Sequence, residues 1–204
     1  MESSNNRNVK NECIKEPLLI IENCEPDLSE WLGLEYNHVM KIWSNTIFTN
    51  IPESWNNNVN IKFKNSNANH VYEIYSEYKF IVLDPKSDVT LSVNDFSSAD
   101  GIIIGGILGY EKFTGNTSRY ITKHINKKIV RSLGKIQLSI DSAALVTKMV
   151  LLGIEMNDIE LTDSFEIRWN DNESTILPYG YVVIDNKVIF TPGLMEYIRK
   201  KRDT

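Results

Sequence analysis

The segment Gly101-Ile-Ile-Ile-Gly-Gly-Ile-Leu-Gly109 decides how the rest of the chain is read. Three consecutive isoleucines have the length and the β-branching of a strand covered on both faces. Glycines 105, 106 and 109 end the run and let a ligand approach the backbone. The pattern is not G-x-G-x-x-G, and no Gly-Lys-Ser/Thr follows, so neither a dinucleotide fingerprint nor a phosphate loop is indicated. Two other runs have the same form. Lys79-Phe-Ile-Val-Leu83 stops at Asp84-Pro85, because proline cannot donate to a ladder. Leu18–Ile21 stops at Glu22.

Helical signals separate these runs. Asp27, three residues before Glu30, suggests a capping box opening a helix with Trp31, Leu32, Leu34, Val39 and Trp43. Residues 117–126 read as a polar helix that leads to a short strand at Ile129 and Val130. Asp141 is the expected cap of a helix carrying Ala143, Ala144, Val146 and Val150, which Gly153 ends. Phe165–Trp169 alternates, and Tyr181–Phe190 reads as a hairpin turning at Asp185-Asn186. Thr191-Pro192 is the expected start of a last helix, which ends in Arg199, Lys200, Lys201 and Arg202. Strands alternating with helices predict an α/β domain with a mostly parallel sheet. Ligands bind such sheets at the carboxyl ends of the strands. That selects three loops: 84–85, 105–109 and 133–140.

Composition narrows the class. With 42% hydrophobic and 24% charged residues, the 204-residue chain is ordinary for one globular domain. Its net charge of -5 argues against a global grip on nucleic acid and favours a basic protein partner. Cys13 and Cys24 form no CxxC pair, and His38, His70 and His124 are scattered, so no metal is expected. There is no apolar run of membrane length and no apolar stretch of a secretion signal. The expectation is a cytoplasmic protein without membrane contact. Residues 1–16 read as a disordered tail and 17–204 as one domain. An asparagine-rich variable segment spans 50–78, with Val59, Ile61 and Phe63 alternating as an exposed strand.

Taken singly, each of the three loops also reads as an ordinary turn or ordinary core. Together they resemble a known family. "FIVLDP" (80–85), "IIIGGILG" (102–109) and "VRSLGKIQLSIDSAALV" (130–146) are similar to the motifs of SPOUT methyltransferases. "LLIIENCEPDLSEWLGLEY" (18–36), "FEIRWNDNESTILPYGYVV" (165–183) and the terminal "PGLMEYIRK" resemble the protein-arginine methyltransferases within that class. The resemblance implies an α/β fold with a C-terminal trefoil knot and S-adenosyl-L-methionine as cofactor. It also implies an arginine of a small-subunit ribosomal protein as substrate, and a monomer in preference to the dimer usual in the class. RNA is the alternative substrate, and a non-catalytic binding protein of the same fold is a third reading. One segment departs from the subfamily pattern: Tyr110–Asn116 keeps none of its aspartate, prolines or arginine.

On this resemblance, the cofactor is expected at Leu83, Asp84, Pro85, Gly105, Gly106, Ile107, Leu108, Gly109, Leu133, Gly134, Ile136, Leu138, Ile140 and Ala143. Ile136, Leu138 and Ile140 would wall an adenine, and Asp84 would meet an amino or ribose group. Arginine is cationic with a very high pKa, so carboxylates must orient it and take the proton it loses. Glu22 leads as catalytic candidate because it ends a strand at the ligand edge. Glu30 and Glu35 follow from the first helix, Glu30 with a structural alternative as the capping-box partner of Asp27. Trp31 would flank a guanidinium or else join the core. His38 and His124 are expected at the surface.

Overall fold

The structure, a computed structural model, describes residues 16–58, 61–108 and 115–203. Five parallel strands form the main sheet: β1 (Leu18–Asn23), β2 (Thr46–Thr49), β3 (Phe80–Leu83), β4 (Gly101–Gly106) and β5 (Lys128–Arg131). Their order is β2-β1-β4-β3-β5. Successive side chains of a strand point to opposite faces. Leu19, Ile21, Ile81, Ile102 and Ile104 therefore pack beneath α1 (Glu30–Ile42) and α4 (Ile140–Leu151). Ile20, Phe80, Val82 and Ile103 face the other way, toward Val71 of α2 (Val71–Ile74) and Ile121, just after α3 (Asn116–Tyr120). Both faces are covered, as the unbroken apolar runs require.

The remaining chain forms two small antiparallel hairpins and a last helix: β6 (Phe165–Asn170) with β7 (Glu173–Leu177), β8 (Val183–Ile184) with β9 (Lys187–Val188), and α5 (Leu194–Arg202). Asp185 and Asn186 turn the second hairpin with φ of 51° and 59°, the left-handed pair that a type I′ turn needs. The partner strand β7 is not among the sequence expectations, because its exposed positions carry little apolar alternation.

Several local expectations are corrected. β1 runs past Glu22 to Asn23 and β4 runs through Gly105-Gly106, because Glu22 pairs with Gly105 and Asn23 with Gly106 across the ladder. Ser29, not Asp27, caps α1, its hydroxyl accepting from the Leu32 N–H at 3.1 Å. Ser139, not Asp141, caps α4. The polar helix at 117–126 breaks after Tyr120 into a separate turn at Thr122–His124. The last helix begins at Leu194, after Gly193 at φ 88°, and leaves Pro192 outside it.

No strand forms at 61–63. Ile61 is buried, and Phe63 packs edge-on to Phe48 at 5.0 Å between ring centres. Residues 59 and 60 lie outside the described residues. The asparagine-rich segment has a structural job instead. Asn65, Asn67 and Asn69 exchange backbone hydrogen bonds of 2.9–3.0 Å with Phe48, Asn50 and Ile51, covering the open edge of β2. Glu16, assigned to the tail, is also held: its carboxylate accepts from the Ser44 N–H and hydroxyl and pairs with Lys148.

Candidate active site

The carboxyl ends of β3, β4 and β5 open onto one cavity of about 290 Å³. That is near the lower end of the roughly 300–1,000 Å³ of small-molecule sites. Its walls are mostly apolar. Leu83, Asp84, Pro85 and Lys86 form one side, and Ile104, Gly105 and Ile107 form the floor. Gly115–Thr117 and the run Leu133–Ile140 with Ala143 close it. Eleven of the fourteen expected cofactor residues line this cavity. The other three do not, or are not described. Gly106 is buried beside it, where a Cβ would collide with the Tyr36 hydroxyl and press on Asn23. Leu108 donates its N–H to Glu25 Oε1 at 2.8 Å. Gly109 lies outside the described residues, as do Tyr110–Thr114.

Glycine is demanded at the cavity wall for two reasons. Gly134 has φ 89°, which L side chains avoid. Gly180 donates to the Gln137 carbonyl at 2.8 Å and abuts Ile136 and Leu138, so the C-terminal segment braces the wall from behind. The α4 N-terminus is fixed by buried polar groups. Asp141 is 2% exposed and accepts from Ser139 Oγ, the Ser142 N–H and Thr191 Oγ1, and its Oδ2 meets His38 Nδ1 at 2.7 Å. His38 is thus a buried-network residue and not a surface one. His124 is exposed, as expected, and stacks on Tyr72.

Asp84 is 2% exposed and already engaged. Oδ2 accepts from Ser118 Oγ at 2.5 Å and Thr122 Oγ1 at 2.6 Å, and Oδ1 from the Lys86 N–H at 3.0 Å. Its hydrogen bonds fasten α3 to the cavity that Asp84 lines.

The three expected catalytic carboxylates occupy different environments. Glu22 is 1% exposed and is not part of the cavity lining. It accepts from Thr49 Oγ1 and the Val71 N–H, and its Oε1 meets His70 Nδ1 at 2.6 Å, so it ties β1 to β2 and α2. Glu30 is exposed in the first turn of α1. Glu35, 1% exposed, accepts from Trp31 Nε1 at 2.6 Å and from the N–H of cavity residue Ile140 at 2.9 Å. Burial, then the charge of Asp141, pushes its pKa up to about 8. Burial, reinforced by Glu22 and Glu25, pushes the Cys24 thiol up to about 12, which leaves it an unreactive thiol at neutral pH.

Trp31 joins a second hollow of about 350 Å³ with Tyr179, Tyr197, Pro178 and Lys201. Its ring meets those of Tyr179 and Tyr197 edge-on at 6.1 Å. No helix among the described residues is long and apolar enough to cross a membrane.

Protein arginine N-methyltransferase SFM1 of Saccharomyces cerevisiae is 28% identical over 199 residues, 89% of this chain and 93% of that protein. The crystal structure of the yeast enzyme complexed with SAM superposes with a TM-score of 0.82 at 27% identity, covering 93% of each chain. Its complex with SAH gives 0.78, covering 89% of this chain and 94% of that one. A dual-specific Trm10 from Thermococcus kodakaraensis, 18% identical, shares the SPOUT-like fold with a TM-score of 0.53 over 70% of this chain and 96% of that one. The family model for SFM1-like protein arginine N-methyltransferases matches residues 18–204, and the chain belongs to that family.

Proposed function

We propose that the protein transfers a methyl group from S-adenosylmethionine to an arginine of a small-subunit ribosomal protein in the cytoplasm, acting as a monomer. The observation that carries this reading is the cavity itself. Three loops from separate parts of the chain meet at one sheet edge and line one cavity with mostly apolar walls. The net charge of -5 suits a basic protein substrate better than RNA.

The residues fit the cofactor. Ile136, Leu138 and Ile140 offer a dry wall for an adenine ring, and Gly105 and Gly134 let the backbone approach closely. Gly106 and Leu108 support this loop from behind; Gly109, by sequence, continues it. Bound there, the sulfonium supplies an electrophilic methyl carbon. The protein's part is positioning. Glu35 clamps Ile140 to α1, Asp84 holds α3, and Asp141 fixes the start of α4. We also assign the chain a trefoil knot at these loops. In support, Ser132, beyond β5, exchanges 2.9 Å backbone bonds with Val89 and Leu91 of the loop that leaves β3.

The test is incubation with radiolabelled S-adenosylmethionine and small ribosomal subunits that lack the modification, followed by separate protease and ribonuclease digestion. Label released only by protease, and recovered as methylarginine, is expected. Label released only by ribonuclease would replace this reading with RNA methylation.

A further inference from the structure

The mechanism needs a carboxylate at the cavity mouth, and the three taken from sequence are poorly suited to it. Glu22 and Glu35 are buried with their oxygens committed, and Glu30 is exposed in the first turn of α1. A fourth carboxylate, Glu25, is bonded to the loop that leaves the cavity floor. It is half-buried and follows the carboxyl end of β1. Its Oε1 accepts the Leu108 N–H at 2.8 Å, one residue beyond cavity-lining Ile107. A carboxylate has about four acceptor positions, so this bond anchors Glu25 without exhausting it.

The backbone beneath Glu25 is held rigidly. The Asn23 side chain accepts from the Glu25 N–H at 3.3 Å and donates to the Glu25 carbonyl at 3.0 Å. The buried Tyr36 hydroxyl donates to Asn23 Oδ1 at 2.8 Å, and Asn23 and Asn50 exchange side-chain-to-backbone bonds at 3.1 and 2.7 Å. Cys24 extends the ladder by donating to the Gly106 carbonyl at 3.0 Å. Gly106 itself has no room for a side chain beside Tyr36 and Asn23. A buried asparagine, a buried tyrosine, a left-handed Asn50 and a mandatory glycine thus fix the backbone of Glu25, and the Leu108 N–H holds its carboxylate beside the loop that follows cavity-lining Ile107. Such precision is what a positioned reacting group requires.

We propose that Glu25 receives the guanidinium of the target arginine, orients one nitrogen toward the cavity and accepts the proton it gives up. This rests on the methyltransferase reading above. As that nitrogen's lone pair forms the new N–C bond, the C–S bond breaks and its electron pair stays on sulfur as a neutral thioether. The displaced N–H proton passes to Glu25 and then to solvent. The product is a methylguanidinium of unchanged charge, so one positive charge leaves the pair as the released proton.

Glu25→Gln tests this, because it keeps an oxygen for the Leu108 N–H while removing charge and basicity. Three quantities are measured for wild type, Glu25→Gln and Glu25→Asp. They are calorimetric affinity for S-adenosylmethionine, binding of unmodified small ribosomal subunits in saturating S-adenosylhomocysteine, and the rate of methyl transfer to those subunits. The expected result for Glu25→Gln is cofactor affinity within about threefold of wild type, subunit binding about tenfold weaker, and transfer slower on the order of 100-fold. Glu25→Asp should recover part of the rate. Transfer and binding within threefold of wild type in Glu25→Gln would overturn the assignment. So would a parallel loss of cofactor affinity, which marks a structural role only. Wild-type label appearing in RNA would remove the functional reading and this role together, and the wild-type lane alone identifies that case.

Discussion

Gly180→Ala should damage the cavity wall from behind. An added Cβ would sit too close to the Ile136 side chain, and within 2.7 Å of the Thr162 carbonyl oxygen and 3.0 Å of Leu138 Cδ2. Carbon atoms normally approach no closer than about 3.5 Å. Residue 180 cannot back away, because its N–H is bonded to the Gln137 carbonyl at 2.8 Å. Relief must come from moving the 136–138 loop or from losing that bond. Overpacking of this kind costs about 1–3 kcal/mol, and a lost hydrogen bond about 1 kcal/mol more. If half the strain falls on the 136–138 wall, affinity for S-adenosylmethionine drops about tenfold. Urea denaturation gives the stability loss, and calorimetry gives the affinity. Gly153→Ala is the control. It has φ 92°, open space around its Cβ position and no place in the cavity lining. It should lose about 1 kcal/mol through strain alone, with affinity unchanged. Wild-type affinity in Gly180→Ala, or an equal affinity loss in both variants, would refute the idea that Gly180 braces the wall.

Asp84→Ala removes the acceptor of three hydrogen bonds and should cost about 2–4 kcal/mol; hydrogen exchange should accelerate selectively at residues 116–124. Glu35 carries a folded-state pKa near 8 against an ordinary value of 4.5. The folded chain therefore holds a proton that the unfolded chain has released, and this group's contribution to stability falls as pH rises from 4.5 to about 8. The slope reaches at most about 1.4 kcal/mol per pH unit. Urea midpoints at pH 5 and pH 8 should show that decline in wild type and a flatter response in Glu35→Gln. Ser29→Ala should cost about 1 kcal/mol through the lost cap of α1, while Asp27→Ala should change thermal stability by no more than about 0.5 kcal/mol. The reverse order would restore the capping-box reading.

Much of the α/β framework was legible because each strand carries its own evidence. Phe80–Leu83 and Gly101–Ile104 are short apolar runs ended by proline or glycine, and burial on both faces leaves no ambiguity of period. The loops that line the cavity were legible for the same reason: their glycines and apolar residues are contiguous. Helix starts were less so. Asp27 and Ser29, or Ser139 and Asp141, are equally good caps by type, and only the path of the incoming backbone selects between them. The asparagine-rich segment misled because its role, covering the edge of β2, uses backbone groups that side-chain composition does not reveal.

The division is clearest among the carboxylates. Sequence alone determined that an acidic chain places several of them near the end of its first strand and on its first helix. Their roles depend on partners distant along the chain. Glu22 meets His70, 48 residues away; Glu25 meets Leu108, 83 away; Glu35 meets Ile140, 105 away; and His38 meets Asp141, 103 away. Burial and hydrogen bonding decide whether a carboxylate clamps the fold or faces a ligand, and both follow from the strand order β2-β1-β4-β3-β5. Local patterning determined which segments form the sheet and its loops. Only the tertiary fold, by bringing Leu108 beside Glu25 and Ile140 over Glu35, decided what each carboxyl group does.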